Sequence, residues 1–436
     1  MSRNSIADGD ARPDAGTDAL LEVDGLTKHF PNDESFFDAL SVDLSNPTRP
    51  VELDRTWVRA VDDVSFDIRE GEILGLVGES GCGKSTLAQA VLNLIQPTAG
   101  EVRFKGEDLS SLSRSALRNR RQDVQMVFQD PQSSLNPRMK VGQIIEAPMK
   151  AHDMLTKEGR KERTAELLEK VGLEPHHYNR YPHEFSGGQR QRVNLARALS
   201  VDPDFIVCDE PVSALDVSIQ ASVLNTMKEL QEEFGLTYLF ITHDLSVVRY
   251  ITDRVAVMYL GNIVEIAETT DLFEDPQHPY TKSLLNALPI PDPEHSQDRT
   301  ILEGEVPSPS DPPSGCRFRT RCPELIAPDD LDVAEDEWAA LLSFVRAVER
   351  RTFDPLMTVS ELESAYFGDV TLDGRSARIV DDALSALKAD DVERAAAILD
   401  ERITMESVCA TEDPGYGVES EAGRYCACHR VTADER

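Results

Sequence analysis

The sequence predicts an α/β fold in which a parallel sheet carries helices on both faces. Three observations predict it. Ile73–Val77, Phe205–Cys208 and Tyr238–Thr242 are short, almost wholly apolar runs, the pattern of strands buried on both faces. Stretches of helical period separate them, as crossovers between parallel strands require. A glycine-rich turn follows directly on the first run and opens into a helix.

The other elements follow in order. Residues 1–19 are polar and acidic, lack the basic-then-apolar order of a secretory signal, and read as disordered. Leu20–Phe30 (LLEVDGLTKHF) reads as a strand and turn, and a Pro-, Asn- and Asp-rich insertion runs on to about Thr56. From Trp57, two alternating strands lead into Ile73–Val77, and the body they begin runs from residue 20 to 275. Within it, residues from about 130 to 185 are helical and comparatively polar, with Leu155, Leu167, Leu168 and Leu173 in helical period. Residues 276–313 are rich in Pro, Ser and Asp, as a linker or docking segment would be. In residues 324–404, Trp338, Leu341, Leu342 and Val345 share one helical face. Val380, Leu384 and Leu387 share another, and Val392, Ala396, Leu399 and Ile403 a third. This predicts three short amphipathic helices inserted without evident chemistry. No internal repeat is present.

The chain has 436 residues, 40% hydrophobic and 28% charged, room for two or three globular domains. No apolar run approaches the roughly 18 residues of a membrane span, so a cytoplasmic-type soluble chain is expected. The net charge is −34, and the basic residues are 11 Lys against 34 Arg. Such a surface repels nucleic-acid phosphates and anionic lipid, so nucleic acid is not an expected partner. One explanation is a halophile's high intracellular salt, which shortens electrostatic screening to about 3 Å at 1 M; the other is simply an acidic protein. Of seven cysteines, Cys82 and Cys208 lie in the motifs described next, whereas Cys316, Cys322, Cys409, Cys426 and Cys428 crowd the last third. In a cytosolic-type chain this suggests metal or redox chemistry before disulfides.

Gly78-Glu79-Ser80-Gly81-Cys82-Gly83-Lys84-Ser85-Thr86 satisfies G-x-x-x-x-G-K-[ST] immediately after an apolar strand. Its glycines let backbone N–H groups turn inward around phosphate oxygens, and the helix start adds favourable field. Lys84 can reach the β- and γ-phosphates while the Ser85 hydroxyl ligates Mg²⁺. Phe205-Ile206-Val207-Cys208-Asp209-Glu210 delivers two carboxylates at a strand's C-terminal end, where open α/β sheets bind ligands. Asp209 is expected to hold Mg²⁺ through water and Glu210 to polarise the attacking water. Phosphate loops serve many NTPases, and the class comes from Phe185-Ser186-Gly187-Gly188-Gln189-Arg190, which leads into the apolar helix of residues 193–199. Ser186 is a good N-cap, and the two glycines allow a close backbone approach to an anion.

With this motif the chain resembles the nucleotide-binding subunit of an ATP-binding cassette (ABC) transporter, whose LSGGQ signature appears here with Phe185 first. The remaining family motifs stand in order: Gln129 in VFQDP, Asp216 in SALD and His243 in ITHD. The resemblance implies a phosphate-loop NTPase with a RecA-like parallel core, an antiparallel β subdomain and a helical subdomain. It implies head-to-tail cassette dimers, hetero- or homodimeric, with each ATP between one subunit's loop and the other's signature. Gln129 would contact Mg²⁺ and the water, His243 the γ-phosphate, and Asp216 would communicate across the dimer. Phe30 is the best match to the aromatic that stacks on adenine, with Trp57 its rival. VGESGCGKST, MVFQDPQSSLNPRM, HPYTKSLLNALP and VPSPSDPPSGCRFRTRCP are similar to the oligopeptide/dipeptide (and nickel) importer branch. That branch works with two membrane-spanning permease subunits and an extracytoplasmic solute-binding protein, so a place at the cytoplasmic face of the membrane is implied. Its C-terminal extension corresponds to residues 276–323 and 405–436, split here by the 324–404 insertion. Cys316, Cys322, Cys409 and Cys428 match its four cysteines, on which some members carry a [4Fe–4S] cluster. Four thiolates can equally hold zinc, or stay unligated, and Cys426 is an additional candidate. The other class in view is an ABC ATPase acting on a macromolecular complex without a transporter, and within the transporters nickel is the alternative cargo.

Overall fold

The computed structural model describes residues 19–32, 40–41, 52–53, 56–287, 302, 304–354, 357–368, 370–415 and 424–431. The expected disorder of residues 1–18, most of the insertion between 33 and 55, and the linker residues 288–301 lie outside that set. Ala19, the last residue of the expected disordered segment, is in fact the first of a strand, Ala19–Pro31, and pairs with Arg69.

The chain divides into two compact bodies. The first comprises residues 1–277, 308–311 and 418–425, the second 278–307, 312–417 and 426–436. The extension residues 276–323 are therefore not one continuous piece, because Ser308–Asp311 cluster with the first body.

In the first body the strands Val124–Val127, Phe205–Asp209, Thr237–Ile241, Ile73–Val77 and Arg254–Tyr259 lie side by side in that order, all parallel. Asn262–Glu268 adds antiparallel to the last of them. All residues of Ile73–Val77, Phe205–Asp209 and Thr237–Ile241 are buried, because helices cover both faces. One such helix, Val217–Phe234, buries Val223, Leu224, Met227 and Leu230, the spacing of a single helical stripe.

A second sheet, fully antiparallel, orders its strands Trp57–Arg69, Ala19–Pro31, Ala99–Phe104 and Glu107–Asp108. Burial of Val64, Phe66 and Ile68 follows the strand period. Toward Val61 the register shifts, where Asp63 takes φ +53° as the extra residue of a bulge.

The helical layer contains Val141–Ala151, Lys157–Lys170 and Gly187–Leu199. Leu167, Leu168 and Leu173 are buried as their period predicts. Leu155 is not: it is 54% exposed at φ +55°, in the turn before the N-cap Thr156. Past residue 185, Val193, Leu195 and Ala196 of Gly187–Leu199 join the apolar cluster that holds Leu167 and Leu168 together with Ile73, Ile206 and Tyr238 of the parallel strands.

In the second body the insertion supplies, among the described residues, four α-helices where three were expected: Glu335–Arg350, Val359–Phe367, Gly374–Lys388 and Val392–Leu399. Leu325, Leu341, Phe344, Val345, Ile379, Ala383, Leu399 and Ile403 form its core, which Cys409 of the extension also enters. The Trp338 indole N–H donates to the Leu325 carbonyl at 2.8 Å. Insertion and extension thus share one core.

Candidate functional site

The first body's site begins at the corner between Ile73–Val77 and the helix Lys84–Val91. Gly78 has φ +153°, and a Cβ there would stand 2.1 Å from the Met258 carbonyl oxygen. At Gly83, φ is +110° and a Cβ would lie 2.0 Å from the Ala60 carbonyl oxygen. Both positions combine a left-handed backbone with a close approach that only glycine permits. Lys84 is buried, and its ammonium donates to the carbonyls of Gly78 and Glu79, both at 2.9 Å, curling the loop over its own helix start.

The carboxylates arrive from the strand Phe205–Asp209, which is separated from Ile73–Val77 by Thr237–Ile241. The Ser85 hydroxyl donates to Asp209 Oδ1 at 3.2 Å. Burial pushes the Asp209 carboxyl above its ordinary range, the Ser85 hydrogen bond offsets part of this, and the Glu210 charge adds to the rise. Two oxygen side chains converging beside a phosphate loop suit a hard cation such as Mg²⁺.

Glu210 sits at φ +45°, a conformation that costs about 1–2 kcal/mol in a non-glycine residue. Its backbone N–H is tied to the Ile241 carbonyl at 2.9 Å, so the neighbouring strand holds it there. The side chain is clamped as well. Gln129 Nε2 donates to Glu210 Oε2 at 2.9 Å, and His243 Nδ1 lies 3.1 Å from Oε1. His243 is 58% exposed against 16% for Glu210, so the imidazole stands at the site's rim.

Ser80–Thr86, Gln129 and Glu210, but not Gly78, Asp209 or His243, line a cleft of about 250 Å³ together with Val58–Ala60, Leu260, Gly261 and Pro309. The last six carry no motif, and their place was not legible in the sequence; only the turn glycine Gly261 marks that something happens there. Phe30 does not line the cleft. It is the cross-strand partner of Val58 and hence on the same face, 36% exposed, with the Lys28 ammonium 4.8 Å from its ring centroid. Trp57, one residue from Val58, does not line the cleft either and is 44% exposed.

The signature stands apart from the cleft. Ser186 caps Gly187–Leu199, accepting from the Gln189 N–H at 3.4 Å, while Gln189 Oε1 accepts from the Ser186 N–H at 3.1 Å. None of Ser186, Gly187, Gly188 and Gln189 lines the cleft. Asp216 caps the following helix, accepting from the Ile219 N–H at 3.0 Å, and this hydrogen bond, with the Ser218 hydroxyl, lowers its carboxyl pKa.

In the second body, Cys316, Cys322, Cys409 and Cys428 all line one small cavity. Burial pushes the Cys316 thiol up to about 12, raises Cys322 well above its ordinary value and raises Cys428. The neighbouring cysteines add to each rise. Cys426 is buried and does not line that cavity. Among the described residues no three or more His, Cys, Asp or Glu side chains are drawn together as a ready metal centre.

A strand–loop–helix cradle facing a buried aspartate and a clamped glutamate defines a phosphate-loop NTPase. Residues 61–213 match the family profile "ABC transporter", and residues 264–327 match "Oligopeptide/dipeptide transporter, C-terminal region". Residues 335–422 match a domain of unknown function, DUF8228. The chain is 51% identical over 312 residues to the oligopeptide transport ATP-binding protein AppF of Bacillus subtilis, an alignment spanning 71% of this chain and 91% of AppF. Among solved structures, the post-hydrolysis dimer of the ATP-binding cassette MJ0796 with ADP and Pi is 29% identical, with a TM-score of 0.49, covering 57% of this chain and 99% of that one. The chain belongs to the ABC transporter family, as an ATP-binding subunit of its oligopeptide/dipeptide branch.

Proposed function

We propose that this chain is the ATP-hydrolysing subunit of a peptide importer, working at the cytoplasmic face of the membrane with two permease subunits, a second cassette and an extracytoplasmic solute-binding protein. The observation that carries the ATPase reading is the Glu210 carboxylate held by Gln129 and His243 at the mouth of the phosphate loop. The match of residues 264–327 to the oligopeptide/dipeptide C-terminal region supports peptide as cargo.

The triphosphate of ATP lies along Gly78–Thr86, where the inward N–H groups and the helix start neutralise it. Lys84 exchanges its two carbonyl partners for phosphate oxygens. Ser85 and Asp209, with Gln129, would hold Mg²⁺, whose charge would neutralise the β- and γ-phosphates. Glu210 accepts the proton of the attacking water, and its two clamped oxygens fix that water in line. In this reading His243 reaches the γ-phosphate from the rim, and Phe30 stacks on the base from the face it shares with Val58.

Ser186–Gln189 lies off its own chain's cleft, so a second cassette must supply that motif to close the nucleotide, with Asp216 passing the closure across the dimer. Glu210→Gln tests the assignment: nucleotide binding should persist while turnover falls at least about 100-fold. Normal hydrolysis by that variant would remove the general base.

In this reading Cys316, Cys322, Cys409 and Cys428 would hold a [4Fe–4S] cluster, for which their side chains would have to draw together from where they stand. What supports it is four thiols on one cavity wall; the cost is deprotonating buried groups, which only a bound metal would repay. Iron analysis and visible absorbance on anaerobically purified protein test it. A preparation with neither iron nor absorbance would sink it. The acidic, Lys-poor composition supports a high-salt cytoplasm as the working environment.

A further inference from the structure

Beyond the phosphate loop the cleft continues between walls that are mostly apolar. Val58 and Ala60 come from one face of the strand Trp57–Arg69, Leu260 from the turn after Arg254–Tyr259, and Pro309 from the C-terminal extension. The one charged group among them, Arg59, lies 3.9 Å from the Asp62 carboxylate. Pro309 is an unexpected member of this wall. The residues before and after its short segment cluster with the second body, whereas Ser308–Asp311 cluster with the first. Two backbone hydrogen bonds shape the segment: Arg59 N–H donates to the Pro309 carbonyl at 2.9 Å, and Asp311 N–H to the Ser308 carbonyl at 3.1 Å. The ring that results is half-buried, rigid, and without an N–H that needs a partner. Phe30 sits one strand further out, with one side of its ring occupied by Lys28. The base of a nucleotide whose phosphates lie on Gly78–Thr86 therefore meets the Val58, Ala60, Leu260 and Pro309 surfaces.

We propose that Pro309 is a base-contacting residue of the nucleotide site, a wall that the C-terminal extension contributes and that favours a flat apolar ring over a bare polyphosphate. This rests on reading the cleft as the ATP site. The test is equilibrium binding of two probes, ATP and inorganic tripolyphosphate, to the full chain and its variants by calorimetry. Pro309→Ala keeps the carbonyl that Arg59 bonds and removes most of the ring. It should weaken ATP about five-fold, as loss of one to two buried CH₂ groups implies, and leave tripolyphosphate unchanged. Pro309→Gly, with the same carbonyl, should show the same selective loss. Unchanged ATP affinity in either variant overturns the proposal, and so does an equal loss for both probes, which is what a disturbed fold would give. Lys84→Ala separates the two levels of the argument. It should weaken both probes in the wild-type background, and undiminished binding there would overturn the site reading itself without reference to Pro309.

Discussion

Glu210 shows how this site is held ready. A glutamate in a left-handed backbone at a strand end is a costly placement, and it persists because the Ile241 carbonyl fixes its N–H while Gln129 and His243 fix its side chain. Position-specific glycines do the complementary work. Gly83→Ala puts a Cβ 2.0 Å from the Ala60 carbonyl oxygen in a conformation side chains avoid. The expected outcome is a loss of roughly 2 kcal/mol in stability together with loss of nucleotide binding, read by thermal unfolding with and without ATP. Both Gly83 and Glu210 are legible in sequence from the motifs that contain them. The clamp around Glu210 is not, because Gln129 and His243 are 81 and 33 positions away from it and only strand order brings them together.

At the scale of the element, the helix Val141–Ala151 carries a buried carboxylate, Glu146, whose partners come from two directions. Burial pushes its carboxyl up, but hydrogen bonds from the Lys150 ammonium at 2.6 Å and from the Tyr178 hydroxyl at 2.5 Å more than offset this and hold it below the ordinary value of 4.5. The same contact pushes the Tyr178 phenol up to about 12, after burial the largest cause. Because the folded carboxyl is the stronger acid, its contribution is present above pH 4.5 and is lost as pH falls through that value toward the folded pKa. Glu146→Gln should therefore flatten the acid limb of a thermal-midpoint profile below pH 5. An unaltered profile in that variant would show that the pair is not what acid breaks. Period alone identified this helical layer and most of its buried leucines. It failed at Leu155, where a residue in register with its neighbours lies instead in the turn that starts the next helix.

At the scale of the whole molecule, a net charge of −34 is a global field rather than a local contact. Self-repulsion of that size should weaken the fold at low ionic strength. The thermal midpoint is expected to rise markedly from dilute buffer to molar KCl, and an unchanged midpoint would mean the acidity has no bearing on stability. Sequence by itself determined the parallel core, the phosphate loop, the carboxylate pair and the family, because each rests on short-range pattern: apolar period, glycine spacing and adjacent acids. Tertiary structure alone decided that Pro309 joins the wall of the phosphate-loop cleft and that insertion and extension share a core. Those outcomes depend on which distant segments pack together, and no local period records a contact made across hundreds of residues.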